Sequence, residues 1–210
     1  MAWPYVLLVH EDPDPGPRHW QSWLAGQLAR RGALVDVPTF TDPDRPVRDT
    51  WLTELREHLA VAPAAAGRVV LAHSWGATLW LHHAAGRFDR GLRVERVLLV
   101  APPAPRCHRA EMVGFHPVPL DPAGLRRAGG HTRLVVGSDD PACPVADAAG
   151  MARALGVDLD VLPHGGHLDP AAGYGAWPAA LDWVRTGATP LRAAGQTATP
   201  LPEARFRRGG

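Results

Sequence analysis

Ser74 stands between small residues two positions to either side, in Ala72-His73-Ser74-Trp75-Gly76, where the apolar run Val69-Val70-Leu71 ends and a helical pattern through Leu79 begins. A strand that turns into a helix within so few residues has no room for side chains at those flanking positions, hence the usual pattern Gly-x-Ser-x-Gly. Ala72 in the first slot adds one methyl, a mild departure from that pattern. Such a turn lifts the serine hydroxyl clear of the sheet and sets it at a helix N-terminus, where the Trp75 N–H and the helix dipole stabilise a developing oxyanion. The same five residues also fit a plain helix cap, because serine ahead of an apolar-periodic segment is a common N-cap. The rest of the chain has to decide between nucleophile and cap.

A serine nucleophile needs a base to take its proton and an acid to orient that base. Two later stretches supply candidates: Gly137-Ser138-Asp139-Asp140-Pro141-Ala142-Cys143-Pro144 and Pro163-His164-Gly165-Gly166-His167-Leu168-Asp169. The order Ser, Asp, His along the chain is that of α/β hydrolases. In this reading Ser74 attacks a carbonyl, His167 takes its proton and later protonates the leaving group, and Asp140 fixes the imidazole tautomer, with Asp139 as second choice of acid. Each stretch has an ordinary reading as well, since Asp-Asp-Pro suits a turn and a histidine after Gly-Gly suits a loop. Three such groups in the required order weigh more together than apart.

The elements needed to position them follow from hydrophobic period. Short apolar runs at residues 5–10, 34–37, 69–72, 94–100, 132–136 and 158–162 read as buried strands. Helical spacing at residues 19–31, 51–59, 75–85, 145–155 and 176–185 falls between and after them. Strand and helix in alternation imply a parallel sheet covered on both faces, with ligands and catalytic groups at the carboxyl ends of its strands. Residues 101–130 read as a long irregular loop or lid, whose large apolar residues include Met112, Phe115 and Leu120. The domain is expected to span residues 1–186, and residues 187–210, rich in Pro, Ala, Thr and Arg, are expected to be a disordered tail.

The chain also resembles the bacterial branch of the YdeN-like family of small α/β-hydrolase-fold serine hydrolases. The resemblance is carried by His19-Trp20-Gln21-Ser22, Ala72-His73-Ser74-Trp75-Gly76, Leu98-Leu99-Val100-Ala101-Pro102-Pro103, Gly114-Phe115-His116-Pro117-Val118-Pro119, Ser138-Asp139-Asp140-Pro141-Ala142-Cys143, Gly166-His167-Leu168 and Gly175-Ala176-Trp177-Pro178. It implies an α/β-hydrolase fold with a six-stranded, mainly parallel sheet in order 2-1-3-4-5-6, helices on both faces, no large cap domain, and Ser74, Asp140 and His167 as the triad. It also implies an oxyanion hole formed by the N–H groups of Trp75 and Asp12. Here the chain departs from the family, which carries glycines and a serine in the loop after the first strand where this sequence has Glu11, Pro13 and Pro15. Proline removes a donor, and carboxylates facing the hole would oppose an anion there.

Composition bounds the alternatives. With 210 residues, 46% apolar content and a formal net charge of +1, the chain is a globular protein with no signature of nucleic-acid or membrane binding. All 22 basic residues are Arg, which together with the absence of Ile and Asn reads as a G+C-rich genome. Cys107 and Cys143 are too few for a disulfide framework and point to a reducing, cytoplasmic setting; no leader-like segment opens the sequence. None of the eleven histidines shows ligand spacing, and no metal or organic cofactor is expected. The leading expectation is a serine hydrolase of small or medium acyl esters or thioesters, with Trp75, Met112, Phe115 and Leu168 lining the acyl site. A weakly active binding protein and a biosynthetic acyltransferase or cyclising enzyme are the alternatives. Oligomeric state is not legible in the sequence.

Overall fold

Tyr5–Val9 is buried along its whole length, so both of its faces must be covered by other parts of the chain. A strand with two apolar faces belongs inside a parallel sheet. The computed structural model describes residues 3–10, 15–63, 66–187 and 191–195. In it, β1 (Tyr5–Val9), β2 (Val35–Asp36), β3 (Arg68–His73), β4 (Val94–Val100), β5 (Gly129–Gly137) and β6 (Asp158–Leu162) form one sheet in the order β2-β1-β3-β4-β5-β6. Every strand pair is parallel. This is the α/β-hydrolase architecture.

Alternation along the strands divides the core into two layers. Leu7, Val9, Val70, Ala72, Val97, Leu99, Leu134 and Val136 meet α2 (Arg48–Ala60), α3 (Trp75–Ala85), α4 (Pro122–Ala128) and α5 (Val145–Leu155) on one face. Val6, Leu8, Val69, Leu71, Leu98, Val100 and Val135 meet α1 (Trp20–Ala29) and α6 (Pro178–Thr186) on the other. The chain leaves β1 toward one edge of the sheet and reaches β3 on β1's other side, so the strand order reverses between them. The carboxyl ends of strands at such a switch point open a crevice, and Ser74 follows the end of β3.

Residues 101–130 are more regular than their sequence implied. They contain a 3-10 segment at Ala110–Phe115 and the helix α4, and β5 begins at Gly129 rather than at residue 132. Asp121 caps α4 by accepting the Ala123 N–H at 3.0 Å, and Pro122 occupies its first turn. No separate cap layer stands over the sheet among the described residues. Nor is any helix among them long and apolar enough to cross a membrane.

Of the segment expected as a tail, residues 188–190 and 196–210 lie outside the described residues. Leu191 packs with α6 against the sheet, and its N–H reaches Asp160 Oδ2 at 3.1 Å. Asp160 in turn accepts from Arg133 Nε at 2.6 Å and Nη2 at 2.8 Å, a buried bidentate pair to which Asp158 adds a contact at 3.1 Å. Removing one partner of a buried pair leaves the other charge desolvated, at a cost of roughly 3–5 kcal/mol. Arg133→Met is therefore expected to lose about that much stability in urea unfolding, and adding Asp160→Leu should restore most of it.

Candidate active site

Ser74 has φ 53° and ψ −126°, a conformation that residues with a Cβ rarely adopt. A helix-capping serine has extended backbone and bonds its side chain to the first turn; Ser74 makes no such side-chain bond. The neighbours hold the turn in place: Ser74 N–H donates to Val100 O at 2.9 Å, and its carbonyl accepts the Ala77 N–H at 3.0 Å. The two flanking slots differ in tolerance. A Cβ on Gly76 would sit 2.7 Å from the Val9 carbonyl oxygen, so that position admits only glycine. Ala72 fits its slot fully buried.

The loops after β5 and β6 are bonded to one another. Ser138 N–H donates to Leu162 O at 2.9 Å, His164 N–H to Ser138 Oγ at 2.9 Å, and Gly166 N–H to Asp139 Oδ1 at 2.8 Å. Asp139 thus anchors the histidine loop, and Asp140 is left to face the histidine. Asp140 Oδ1 accepts the Ala142 N–H at 2.8 Å, while Oδ2 accepts His167 Nδ1–H at 2.9 Å. With the proton fixed on Nδ1, His167 Nε2 accepts from the Ser74 hydroxyl at 2.9 Å. The three predicted groups are therefore joined end to end. The Asp140 carboxylate is fully buried, and the His167 ring remains 23% exposed.

One glycine sets the distance across this chain. A Cβ on Gly137 would lie 2.2 Å from Gly166 O and 2.7 Å from Gly165 C, both backbone atoms of the histidine loop. Gly137→Ala must push that loop outward. Misplacement of reacting groups by about 1 Å costs roughly 100-fold, so a loss of that order in kcat, with secondary structure retained by circular dichroism, is the expected result.

Trp75 opens α3, so its N–H lies in the first turn, where the helix dipole favours negative charge. Asp12 lies outside the described residues. Trp75, Met112 and Phe115 are buried together in the larger core layer, with the Trp75 and Phe115 rings 6.3 Å apart. Leu168, at φ 53°, is buried in the other layer. Cys143 is buried, which pushes its thiol up to about 12 and makes it a poor nucleophile.

Three buried histidines that sequence spacing did not connect form a cluster that touches His167 through His73. His73 Nε2–H donates to the His167 carbonyl at 2.9 Å, and the two rings are 5.1 Å apart. His10 and His19 pack on His73, at 5.3 Å and 5.0 Å between ring centroids. Burial, reinforced by His10, holds His73 well below the usual imidazole range and brings His19 down to about 3. His73 therefore supports the His167 loop as a neutral donor. Only the strand order brings these positions together, and no period in the sequence marks them.

Known proteins share this fold. The Bacillus subtilis (strain 168) protein YdeN is 23% identical over 182 residues, covering 84% of this chain and 92% of that protein. Its crystal structure superposes with a TM-score of 0.73 at 20% identity, over 87% of this chain and 97% of that one. A YdeN-like hydrolase from Pectobacterium atrosepticum gives a TM-score of 0.68 at 22% identity, over 86% and 89% of the two chains. The esterase domain of a Rhodothermus marinus protein gives 0.63 at 18%, over 87% and 86%. These likenesses show the fold. The family model described as Serine hydrolase matches residues 6–186, nearly the whole of the described domain, and the chain belongs to that family of hydrolases.

Proposed function

We propose that the protein hydrolyses small or medium acyl esters or thioesters through a Ser74–His167–Asp140 triad and an acyl-enzyme. The observation that carries this reading is the continuous chain of hydrogen bonds, 2.9 Å from Ser74 Oγ to His167 Nε2 and 2.9 Å from His167 Nδ1 to Asp140 Oδ2. Ser74 Oγ attacks the acyl carbon as its proton passes to His167 Nε2. The imidazolium, stabilised by Asp140, gives that proton to the departing alcohol or thiol. Water then attacks the acyl-enzyme with His167 as base, and Ser74 is released with its hydroxyl restored.

The Trp75 N–H is one donor to the oxyanion and the Asp12 N–H the second; Trp75, Met112, Phe115 and Leu168 are each at most 3% exposed and divided between the two core layers, so an acyl group reaches them only where side chains at the site move aside. The steps use these side chains and water. The free cysteines Cys107 and Cys143 support a cytoplasmic setting. A series of p-nitrophenyl esters and acyl thioesters of increasing chain length tests the reading. Turnover with a chain-length optimum is expected, and a flat, background-level response across the series would refute it.

A further inference from the structure

His10, His19 and His73 come from the end of β1, the residue before α1 and the end of β3, and all three are buried, at 4%, 2% and 3% exposure. One ring nitrogen from each lies within 4.8 Å of the other two. Their ring centroids are 4.8, 5.0 and 5.3 Å apart. Imidazoles that share a tetrahedral zinc ion at 2.0–2.1 Å have centroids roughly 5 Å apart and ligating nitrogens roughly 3.4 Å apart. The ring centroids thus have the spacing of ligands, while ligation requires the rings to turn so that the nitrogens close from within 4.8 Å to about 3.4 Å, chiefly at His10 and His73, whose planes are 16° apart.

Two of the nitrogens are unaccounted for otherwise. His73 Nδ1 and His19 Nε2 are buried with no hydrogen-bond partner among the described residues, and buried polar atoms in folded proteins are seldom left so. The other nitrogen of His73 is already occupied, since Nε2–H donates to the His167 carbonyl at 2.9 Å. Metal-ligating histidines are held in this way, one nitrogen on the ion and the other N–H on a backbone carbonyl. His19 Nδ1 accepts the Gln21 N–H at 3.2 Å. When Nε2 ligates, the ring proton moves to Nδ1 and this long bond is given up.

We propose that His10, His19 and His73 form a three-nitrogen site for a divalent d-block cation of the zinc type, with the fourth position taken by water. Neutral imidazoles without a thiolate suit zinc, cobalt, nickel or copper and disfavour calcium and magnesium. The site does not depend on the proposed hydrolysis, but the His73–His167 hydrogen bond ties it to the loop that carries His167.

Untagged full-length protein, stripped with a chelator, is titrated with Co²⁺ and read by visible absorption, with Zn²⁺ added afterwards. The expected result is one equivalent bound with the intense d–d bands of tetrahedral cobalt, bleached by one equivalent of zinc. His19→Gln and His10→Ala should weaken binding by at least about 100-fold, since even outer-shell losses cost 10–100-fold, and His167→Ala should leave it intact. Loss of binding in His167→Ala but not in the cluster variants would place the ion on the His167 side and overturn the proposal. So would wild-type protein that takes up no stoichiometric cobalt, which would leave a buried water bridging His19 and His73; that outcome needs no variant to fold.

Discussion

Ser74→Ala is expected to lower ester turnover by roughly 10⁴–10⁶-fold in kcat without unfolding the protein. The loss is large because the Ser74 hydroxyl is the one bonded to His167 Nε2. Cys143 cannot substitute for it, being buried and held protonated. The fold survives because alanine is smaller than serine and the turn is held by backbone bonds to Val100 and Ala77 that the variant keeps. His167→Ala should fall to a similar level and the double variant no further, because the groups act as a unit. Asp140→Asn should cost about 10⁴-fold through the wrong imidazole tautomer. Steady-state kinetics on the best ester of the chain-length series measure all four, and single-variant losses under about 10-fold would be inconsistent with a triad.

The second large effect is on stability in acid. His19, His73 and His83 are buried as neutral rings. Burial is the leading cause in each case, bringing His83 to about 4 and His19 to about 3, with His73 also well below the ordinary value. Above about pH 6.5 neither folded nor unfolded chain takes up these protons, and nothing is lost. Below it the unfolded chain binds them and the folded chain does not, so stability falls with pH until the folded values are reached. Three such groups give a slope of up to about 4 kcal/mol per pH unit, enough to exhaust a typical 5–15 kcal/mol within a few units. Urea midpoints between pH 7 and 4 measure this. His83 also offers a separate check, for its ring lies between Trp80 and Phe88, at 4.9 and 4.5 Å, with neither nitrogen hydrogen-bonded among the described residues. His83→Phe should reduce the slope by about 1.4 kcal/mol per pH unit; an unchanged slope would mean that His83 does not resist protonation.

The central strands were legible because each is buried on both faces and therefore apolar throughout. The same logic failed at Gly129-Gly130-His131, which extends β5 with no apolar residue. There the backbone itself is the requirement: a Cβ on Gly130 would lie 2.6 Å from Glu95 O. Helix α4 was hidden for a related reason. It is seven residues long with Gly124 inside it, and a Cβ at Gly124 would lie 2.4 Å from the Ala84 carbonyl oxygen, where α4 packs on α3. Asp121-Pro122 was its one start signal, and a proline-rich segment masked it.

Ser74, Asp140 and His167 were legible because each follows a strand whose position could be read, in the chain order that α/β hydrolases use. Asp140 was preferred to Asp139 in the sequence and the family resemblance implied the same residue, but the physical basis of that choice is visible only in the fold, where Asp139 is occupied by the Gly166 N–H. The cluster of His10, His19 and His73 was not legible, because its members meet only after β1 and β3 pair and α1 folds back over them.

The measurement that tests the central claim most directly is intact-protein mass spectrometry after exposure to a fluorophosphonate, with Ser74→Ala and His167→Ala alongside. Such reagents label a serine only when a neighbouring base has activated it. A single covalent adduct on the wild-type protein, absent from both variants, is the predicted result. An unlabelled, folded wild-type protein, or an adduct that persists in Ser74→Ala, would contradict the assignment of Ser74 as the nucleophile and shift the reading toward a hydrolase-fold protein that binds without turnover.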